Sequence, residues 1–280
     1  MGFLSRHIER DLSLPSKREI LLKNALTDLT KDSNVLAIYQ SGSLSKGSFD
    51  RYSDIDLHIV VTPDKKADFI KDKRSRVRNW GNVLFFEGVD DSPVLVTHYD
   101  CFVKLDSWYK TSEEIVTSLW LKGNEVHYDP HKLISVTIEE SSKLVYKTTA
   151  KDVEFWREKM LAFIHETYRA VMRDEMYYAL ANVDKIRWLI VSGWYMETEQ
   201  HLDSSYGIWS KIEGKKSRTK LNKSHLSLLE GWNCKRNPNE IINTMVRMIP
   251  EFFRLNKSLS KKVDIAENEE TLKRIIEMAY

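Results

Sequence analysis

The sequence is poor in the features that mark exported, membrane-spanning or disulfide-stabilised proteins. Its 280 residues include two cysteines, Cys101 and Cys234, which are too few for a disulfide framework and lack the spacing of a metal-binding motif. No run approaches the roughly 18 apolar residues that a membrane helix needs. The N-terminal residues MGFLSRHIERDL carry charges where a signal peptide has its apolar core. These absences predict a cytoplasmic protein that does not contact a membrane.

The chain also lacks an excess of charge of either sign. It has 43 basic and 41 acidic residues, for a net charge of +2, so composition does not indicate a nucleic-acid-binding surface or an acidic tail. There is no internal repeat and no low-complexity linker. The length allows one large domain or two ordinary ones, with a substantial core in either case.

The first half of the sequence alternates between helical and strand patterns. We predict a small α/β domain around a mixed sheet, over residues 1–147. Its predicted elements are a helix at 13–33 with Pro15 in its first turn, a strand at 34–40, a short helix from Leu44 to Gly47, a strand at 54–61, a helix at 64–80, an antiparallel pair of strands at 83–86 and 94–103, a short helix at 112–120 and a strand at 125–128.

The pattern changes after about Lys147, where β-branched runs become rare and apolar residues recur at helical spacing. We therefore predict an all-α second domain, a helical bundle, over residues 148–280. Its predicted helices lie at 152–173, 176–195, 226–232, 238–255 and 267–278.

The stretch 34–61 contains the clearest chemical pattern of the chain. In the predicted strand 54–61, alternation places Asp54, Asp56 and His58 on one face. Aspartates two residues apart on a strand lie about 6–7 Å apart, so their carboxylates can converge on two metal ions separated by about 3.5–4 Å. Hard oxygen ligands of this kind suit Mg²⁺, which completes its coordination with water and substrate phosphates.

A Gly-Ser turn precedes these aspartates. Gly42 allows the backbone to approach a ligand closely, and Ser43 lies where a short helix begins and where backbone N–H groups are free to bind phosphate. Each feature is common by itself, but the ordered pattern of strand, Gly-Ser turn, polar segment and aspartate-containing strand indicates nucleotide chemistry.

This pattern resembles the signature of the polymerase-β-like nucleotidyltransferase superfamily, with Gly42-Ser43 followed by Ser53-Asp54-Ile55-Asp56 at the start of an apolar strand. The resemblance implies that Asp54 and Asp56 bind two Mg²⁺ ions and that Gly42 and Ser43 hold the phosphates of a nucleoside triphosphate. It further implies a third carboxylate on a later strand.

We predict that Asp100 is this third carboxylate, because it lies inside the apolar run 99–103, on the face shared with His98 and Phe102. It would complete the metal site and orient or deprotonate the acceptor. Glu87 and Asp106 are the alternative candidates, since both fall at ends of apolar runs.

The two-domain plan is similar to that of the antibiotic nucleotidyltransferases, which act on aminoglycosides and lincosamides. The segments 125–130 (EVHYDP) and 207–211 (GIWSK) also resemble elements of such enzymes, and the second resemblance implies that Lys211 meets the triphosphate. Many family members have an arginine soon after the Gly-Ser pair, whereas this chain has Lys46, which could hold phosphate instead. The resemblance implies transfer of AMP from ATP, or of another nucleotide, to a small-molecule hydroxyl, as in antibiotic resistance, by a monomer or homodimer.

Other interpretations stay open at this point. His58 and His98 could form a zinc site with two aspartates, the basic run 211–223 could close over the triphosphate, and Asp184 could receive the acceptor. The acceptor could instead be a protein or tRNA hydroxyl. The chain could also be a non-catalytic nucleotide-binding regulatory module.

Overall fold

The protein consists of two compact units, Met1–Leu144 and Val145–Tyr280, of which the computed structural model describes residues 5–202 and 221–280. The first unit contains a mixed sheet and four helices among its described residues. In chain order these elements are α1 (Ile8–Leu29), β1 (Val35–Ser41), α2 (Gly42–Ser45), β2 (Ile55–Val61), α3 (Lys66–Arg76), β3 (Val83–Glu87), β4 (Val94–Tyr99), β5 (Lys104–Lys110), β6 (Glu125–Tyr128) and α4 (Ser135–Lys143).

The sheet has the strand order β3-β4-β5-β2-β1-β6. Strands β2 and β5 pair in parallel, while the other four pairings are antiparallel. Strand β2 lies inside the sheet between β5 and β1, and its residues Ile55, Leu57 and Ile59 are fully buried. An apolar strand of this kind is typical of a central position with both faces covered.

Two apolar clusters cover the two faces of the sheet. On one face, Leu21 of α1 and Phe69 of α3 pack with Ile55, Leu57 and Ile59. On the other face, Ile138 of α4 packs with a smaller cluster that includes Val60 of β2. Residues 54, 56 and 58 therefore face the smaller cluster, because side chains alternate along a strand.

The second unit is helical throughout its described residues. Its helices are α5 (Ala150–Met172), α6 (Met176–Glu197), α7 (Lys223–Gly231), α8 (Pro238–Val263) and α9 (Glu269–Ile276). Helices α5, α6 and α8 pack on one another around a shared apolar core. The side chain of Thr149 caps α5, and that of Asn237 caps α8 directly before Pro238.

The fold class expected from the sequence is confirmed: an α/β domain with a mixed sheet is followed by an all-α bundle. Within the described residues, no helix has the length and apolar character needed to span a membrane.

Several predicted elements were wrong in detail. The predicted helix 238–255 is α8 and continues to Val263, and the short helix predicted from Leu44 to Gly47 is α2 at Gly42–Ser45. Helix α1 begins at Ile8 rather than Ser13, so Pro15 lies inside it. Asp11 stabilises the first turn of α1, because its carboxylate accepts hydrogen bonds from the hydroxyls of Ser5 and Tyr52. The predicted helix 112–120 is a single 3₁₀ turn at Ser112–Glu114. The predicted strand 94–103 is two elements, because the chain turns after Tyr99 and returns as β5.

Candidate active site

Three aspartates meet at the end of the central strands. Asp56 of β2 and Asp106 of β5 are direct partners in the parallel register, and Asp54 comes immediately before β2. Each of the three offers a carboxylate oxygen, and these atoms all lie within 4.8 Å of one another. No other group of three potential metal-binding side chains occurs in residues 5–202 and 221–280. The sheet therefore builds a cluster of negative charge from residues far apart in the sequence.

The electrostatics of this cluster favour the arrival of a cation. Burial raises the pKa of Asp56 to about 6, and the charges of Asp54 and Asp106 add to the shift. Burial also raises the pKa of Asp106. The buried Oδ1 of Asp106 has no hydrogen-bond partner among the described residues, and an unpaired buried carboxylate oxygen is costly.

Lys104 supplies part of the missing positive charge. Its ammonium lies 2.7 Å from Oδ2 of Asp54 and 3.1 Å from Oδ2 of Asp106. Burial lowers the pKa of Lys104, but the hydrogen bond to Asp54 and the charge of Asp106 outweigh burial and raise its pKa overall. Lys104 therefore stays charged and bridges two of the three acids.

The donor set fits magnesium ions. It consists of carboxylate oxygens alone, which are the ligands that Mg²⁺ prefers, and one of these oxygens is orphaned among the described residues. The residues that would hold the metal are Asp54, Asp56 and Asp106.

Gly42 presses directly against this cluster. It has φ of +76° at the start of α2, and a Cβ placed on it would overlap Oδ2 of Asp56. Glycine is favoured here, because the left-handed backbone strains other residues and a Cβ would force the carboxylate of Asp56 to move. Ser43 follows Gly42 in this short helix, whose C-terminal cap is Lys46, and the charge of Lys46 acts to lower the pKa of Asp56. The structure thus brings two of the predicted phosphate-binding residues, Gly42 and Lys46, close to Asp56.

His58 and His98, which were predicted to lie on the same strand faces as the acids, make other contacts. His58 is buried, its Nε2 lies 2.8 Å from Oγ of Ser41, and its ring stacks between those of Tyr39 and Trp108. Burial lowers the pKa of His58 to about 3, and the charge of Lys110 adds to this shift, so the ring is neutral at neutral pH. His98 pairs with Glu87 and stacks on Phe85. Neither histidine joins the acidic group.

The predicted third carboxylate, Asp100, lies elsewhere. It is exposed in the tight turn between β4 and β5, where its Oδ2 accepts a hydrogen bond of 3.1 Å from the side chain of Asn82. The turn reverses the chain before Asp100 can share a strand face with His98, and Phe102 in the same turn has φ of +65°. The acid that joins Asp54 and Asp56 is Asp106, one of the two alternatives considered from the sequence.

Of the two remaining predicted site residues, Asp184 belongs to the second unit and Lys211, with the segment 207–211, falls outside the described residues. Asp184 is exposed on α6 and forms an ion pair with Arg187, whose guanidinium also donates to the carbonyl oxygen of Trp232. Sequence reasoning also missed Lys104. The signal was present, because Lys104 and Asp106 alternate with buried residues in β5.

A cleft of about 420 Å³ opens beside Asp54 and Lys104. Its walls are largely apolar and include Phe85, which is stacked on His98 with ring centroids 4.1 Å apart. Phe102 forms another part of the wall. Space for a small molecule is therefore available next to the acidic cluster.

Comparison with known proteins finds one family model that matches part of the chain. Residues 22–152 match the model of the nucleotidyltransferase domain. A comparison with curated proteins gives no significant match. Among solved structures, an aminoglycoside 6-adenyltransferase from Bacillus subtilis is similar with 12% identity and a TM-score of 0.43, over 94% of this chain and 98% of that chain. A nucleotidyltransferase-like protein from Exiguobacterium sibiricum 255-15 has 8% identity and a TM-score of 0.38, over 88% of this chain and 77% of that chain. At these TM-scores the two structures support no inference about substrate.

Proposed function

We propose that this chain, whose residues 22–152 match the model of the nucleotidyltransferase domain, is a nucleotidyltransferase that transfers a nucleoside monophosphate to a hydroxyl group of a small molecule. The donor is ATP or another nucleoside triphosphate, with AMP as the transferred group, and the second product is pyrophosphate. The acceptor is a small molecule of the antibiotic type, either an aminoglycoside or a lincosamide.

The observation that carries this proposal is the group of three carboxylates with oxygens within 4.8 Å of one another, pressed against the Gly42 turn. Asp54, Asp56 and Asp106 would hold two Mg²⁺ ions, which when bound supply positive charge to the phosphates. The turn at Gly42 and Ser43 would hold the β- and γ-phosphates through backbone N–H groups and the serine hydroxyl. Lys46 would add a positive charge on the same side.

In the proposed reaction, the acceptor oxygen forms a bond to the α-phosphorus of the triphosphate. The bond between that phosphorus and the oxygen bridging to the β-phosphate breaks, and pyrophosphate leaves. Asp106 takes the proton of the attacking hydroxyl as general base, because burial raises its pKa and makes the carboxylate a stronger base. Positioning and neutralisation of charge carry most of the catalysis in such transfers.

The aspartate assignments can be tested by turnover with an active acceptor. Asp54→Asn, Asp56→Asn and Asp106→Asn should each reduce kcat by about 100-fold or more, because each removes a charge from the metal site. The matched control is Asp100→Asn, which removes an exposed carboxylate from the neighbouring turn and should keep the rate of the unaltered protein. Near-normal turnover of Asp56→Asn, or loss of turnover in Asp100→Asn alone, would contradict this assignment.

The cleft beside Asp54 supports a proposal about the acceptor. Arg51 and Lys104 line it together with the single carboxylate of Asp54, and its walls include Phe85 and Phe102. Apolar and aromatic walls favour an acceptor with an apolar or planar part. These walls therefore favour a lincosamide-type acceptor over a polycationic aminoglycoside.

A panel of both antibiotic classes, incubated with MgATP or MgGTP, tests this preference. The expected result is a mass increase of one nucleoside monophosphate on a lincosamide-type compound. Modification of aminoglycosides alone would overturn the acceptor preference and leave the transfer chemistry standing. Release of pyrophosphate without a modified small molecule would direct the search to a macromolecular acceptor.

A further inference from the structure

Lys104 occupies an unusual place for a surface lysine. Its ammonium approaches Asp54 and Asp106 simultaneously, at 2.7 Å and 3.1 Å. Both contacts are made to carboxylate oxygens of the group that could hold a metal. A lysine at this position therefore neutralises charge that a divalent cation would otherwise neutralise.

Lys104 forms ion pairs with two of the three acids, which leaves carboxylate oxygens for a metal ion. Lys104 reaches Asp54 and Asp106, whereas no hydrogen bond or ion pair joins it to Asp56 in the described structure. The second oxygen of Asp106 is also left without a hydrogen bond from any described residue. A single ammonium thus satisfies part of the cluster, and two divalent cations would satisfy more of it.

The ammonium group of Lys104 can also move away from the acids. About 35% of its side chain is exposed, as is about 34% of that of Asp54. The adjoining cleft is lined by Lys104 itself and offers space into which a flexible four-carbon side chain can move. An ion pair at the solvent boundary is weaker than a buried one, so a divalent cation can displace it.

We propose that Lys104 is an internal counter-ion of the acidic cluster, which bridges Asp54 and Asp106 in the metal-free protein and competes with divalent cations for their oxygens. This inference rests on the metal-binding role of the cluster in the proposed function. Lys104 is then a positioning residue, because it keeps the carboxylates together and sets the concentration of metal at which the site fills.

The test compares Lys104→Met with Lys110→Met, which removes a lysine from the same strand and the same strand face. Lys110 lies away from the acids, with its ammonium 3.4 Å from the hydroxyl of Tyr39. Binding of Mn²⁺ is measured by electron paramagnetic resonance, and thermal unfolding is followed in the presence of a chelator. No measurement of activity is needed.

We expect Lys104→Met to tighten Mn²⁺ binding by about tenfold, because a competing positive charge is removed. The same variant should unfold at a lower temperature without metal and should recover stability in saturating Mn²⁺. Lys110→Met should leave the Mn²⁺ affinity unchanged. Lys104→Arg keeps the charge and should bind Mn²⁺ no more tightly than the unaltered protein.

The outcomes separate this inference from the proposed function. Unchanged or weaker Mn²⁺ binding by Lys104→Met, while the unaltered protein binds Mn²⁺, overturns the role of Lys104 alone. Absence of Mn²⁺ binding by the unaltered protein and by Lys104→Met overturns the metal site itself. If Lys104→Met does not fold, Lys104→Gln provides a neutral side chain that can still hydrogen-bond to the acids, and tighter Mn²⁺ binding is again expected.

Discussion

Gly42 couples the turn after β1 to the acidic cluster at the scale of a single residue. Its φ of +76° and the overlap of any Cβ with Oδ2 of Asp56 impose two separate requirements for glycine. The first concerns backbone energy and the second concerns the position of a proposed metal ligand. A second glycine in the same segment, Gly47, allows the two to be separated, because it has φ of +65° but a Cβ added to it would meet no atom within 4 Å.

We predict that Gly42→Ala loses metal binding and turnover, because the methyl group displaces the carboxylate of Asp56. Gly42→Ala and Gly47→Ala should both lower the free energy of unfolding by about 1–2 kcal/mol, the usual cost of left-handed backbone for a residue with a Cβ. Turnover and denaturant unfolding are measured on both variants. Equal turnover of the two would show that the contact between Gly42 and Asp56 has no role in catalysis.

The three acids of the candidate site show which of its residues can be predicted from sequence. Asp54 and Asp56 are two residues apart, so strand alternation alone predicts that they share a face. The third acid depends on which strand pairs with β2, and that is a tertiary fact. Asp100 lies in an apolar run and was therefore predicted to be buried, but the run contains a turn. The register of β5 against β2 places Asp106, rather than Asp100, beside Asp56.

At the scale of secondary structure, an ion-pair cluster joins two helices of the second unit. Arg254 of α8 donates hydrogen bonds to both carboxylate oxygens of Glu197, the last residue of α6, at 2.8 and 3.0 Å. Ser258 of α8 donates to the same carboxylate. The hydrogen bond from Arg254 lowers the pKa of Glu197 below its usual value of 4.5.

This shift predicts a pH dependence of stability. Because the pKa of Glu197 is lower in the folded state than in the unfolded chain, the stabilisation is fully present above about pH 4.5 and is lost as the pH falls through the folded-state pKa. Glu197→Gln should remove this part of the acid dependence, measured by urea unfolding followed by circular dichroism at neutral pH and near pH 4. Glu139→Gln, which breaks an exposed ion pair with Lys143, should keep the acid dependence of the unaltered protein.

Helices α5 and α6 were the most predictable elements, since they begin and end within about two residues of the predicted bounds, which is the usual uncertainty of helix ends. Long periodic patterns with capping residues such as Thr149 leave few alternatives. Strand β5 was missed because Asp106 and Lys104 break its apolar character. Its alternation of buried Leu105, Ser107 and Tyr109 with polar residues is a strand pattern nonetheless.

At the scale of the whole molecule, ligand binding should raise the free energy of unfolding of the protein. A ligand that binds only the folded protein stabilises it by about 2.7 kcal/mol at 100 times its Kd. Mg²⁺ with a non-hydrolysable ATP analogue should therefore raise the unfolding temperature of the full chain, and a chelator should reverse the effect. Asp56→Asn should show no such increase, and an increase equal to that of the unaltered protein would place the nucleotide at another site.

Composition set the limits of what could be predicted at this scale. The change of sequence pattern near residue 147 indicated two domains of different class. Neither this pattern nor the near-neutral net charge identified an acceptor. In the proposed function the acceptor depends on the walls of the cleft beside Asp54, which come from α1, the segment before β2, β3, β4 and the turn before β5. No local sequence pattern encodes that assembly.

The parallel pairing of β2 with β5 has a consequence for folding kinetics. Antiparallel neighbours can form by local hairpins, whereas a parallel pair needs a crossover, here the chain that forms α3, β3 and β4. Contacts between distant parts of a chain form slowly because loop closure must come first. Asp106 therefore reaches Asp56 after the chain between β2 and β5 has closed, and a nascent chain that ends before β5 lacks the complete acidic group. Binding of Mn²⁺ should accordingly serve as a time-resolved reporter of the pairing of β2 with β5.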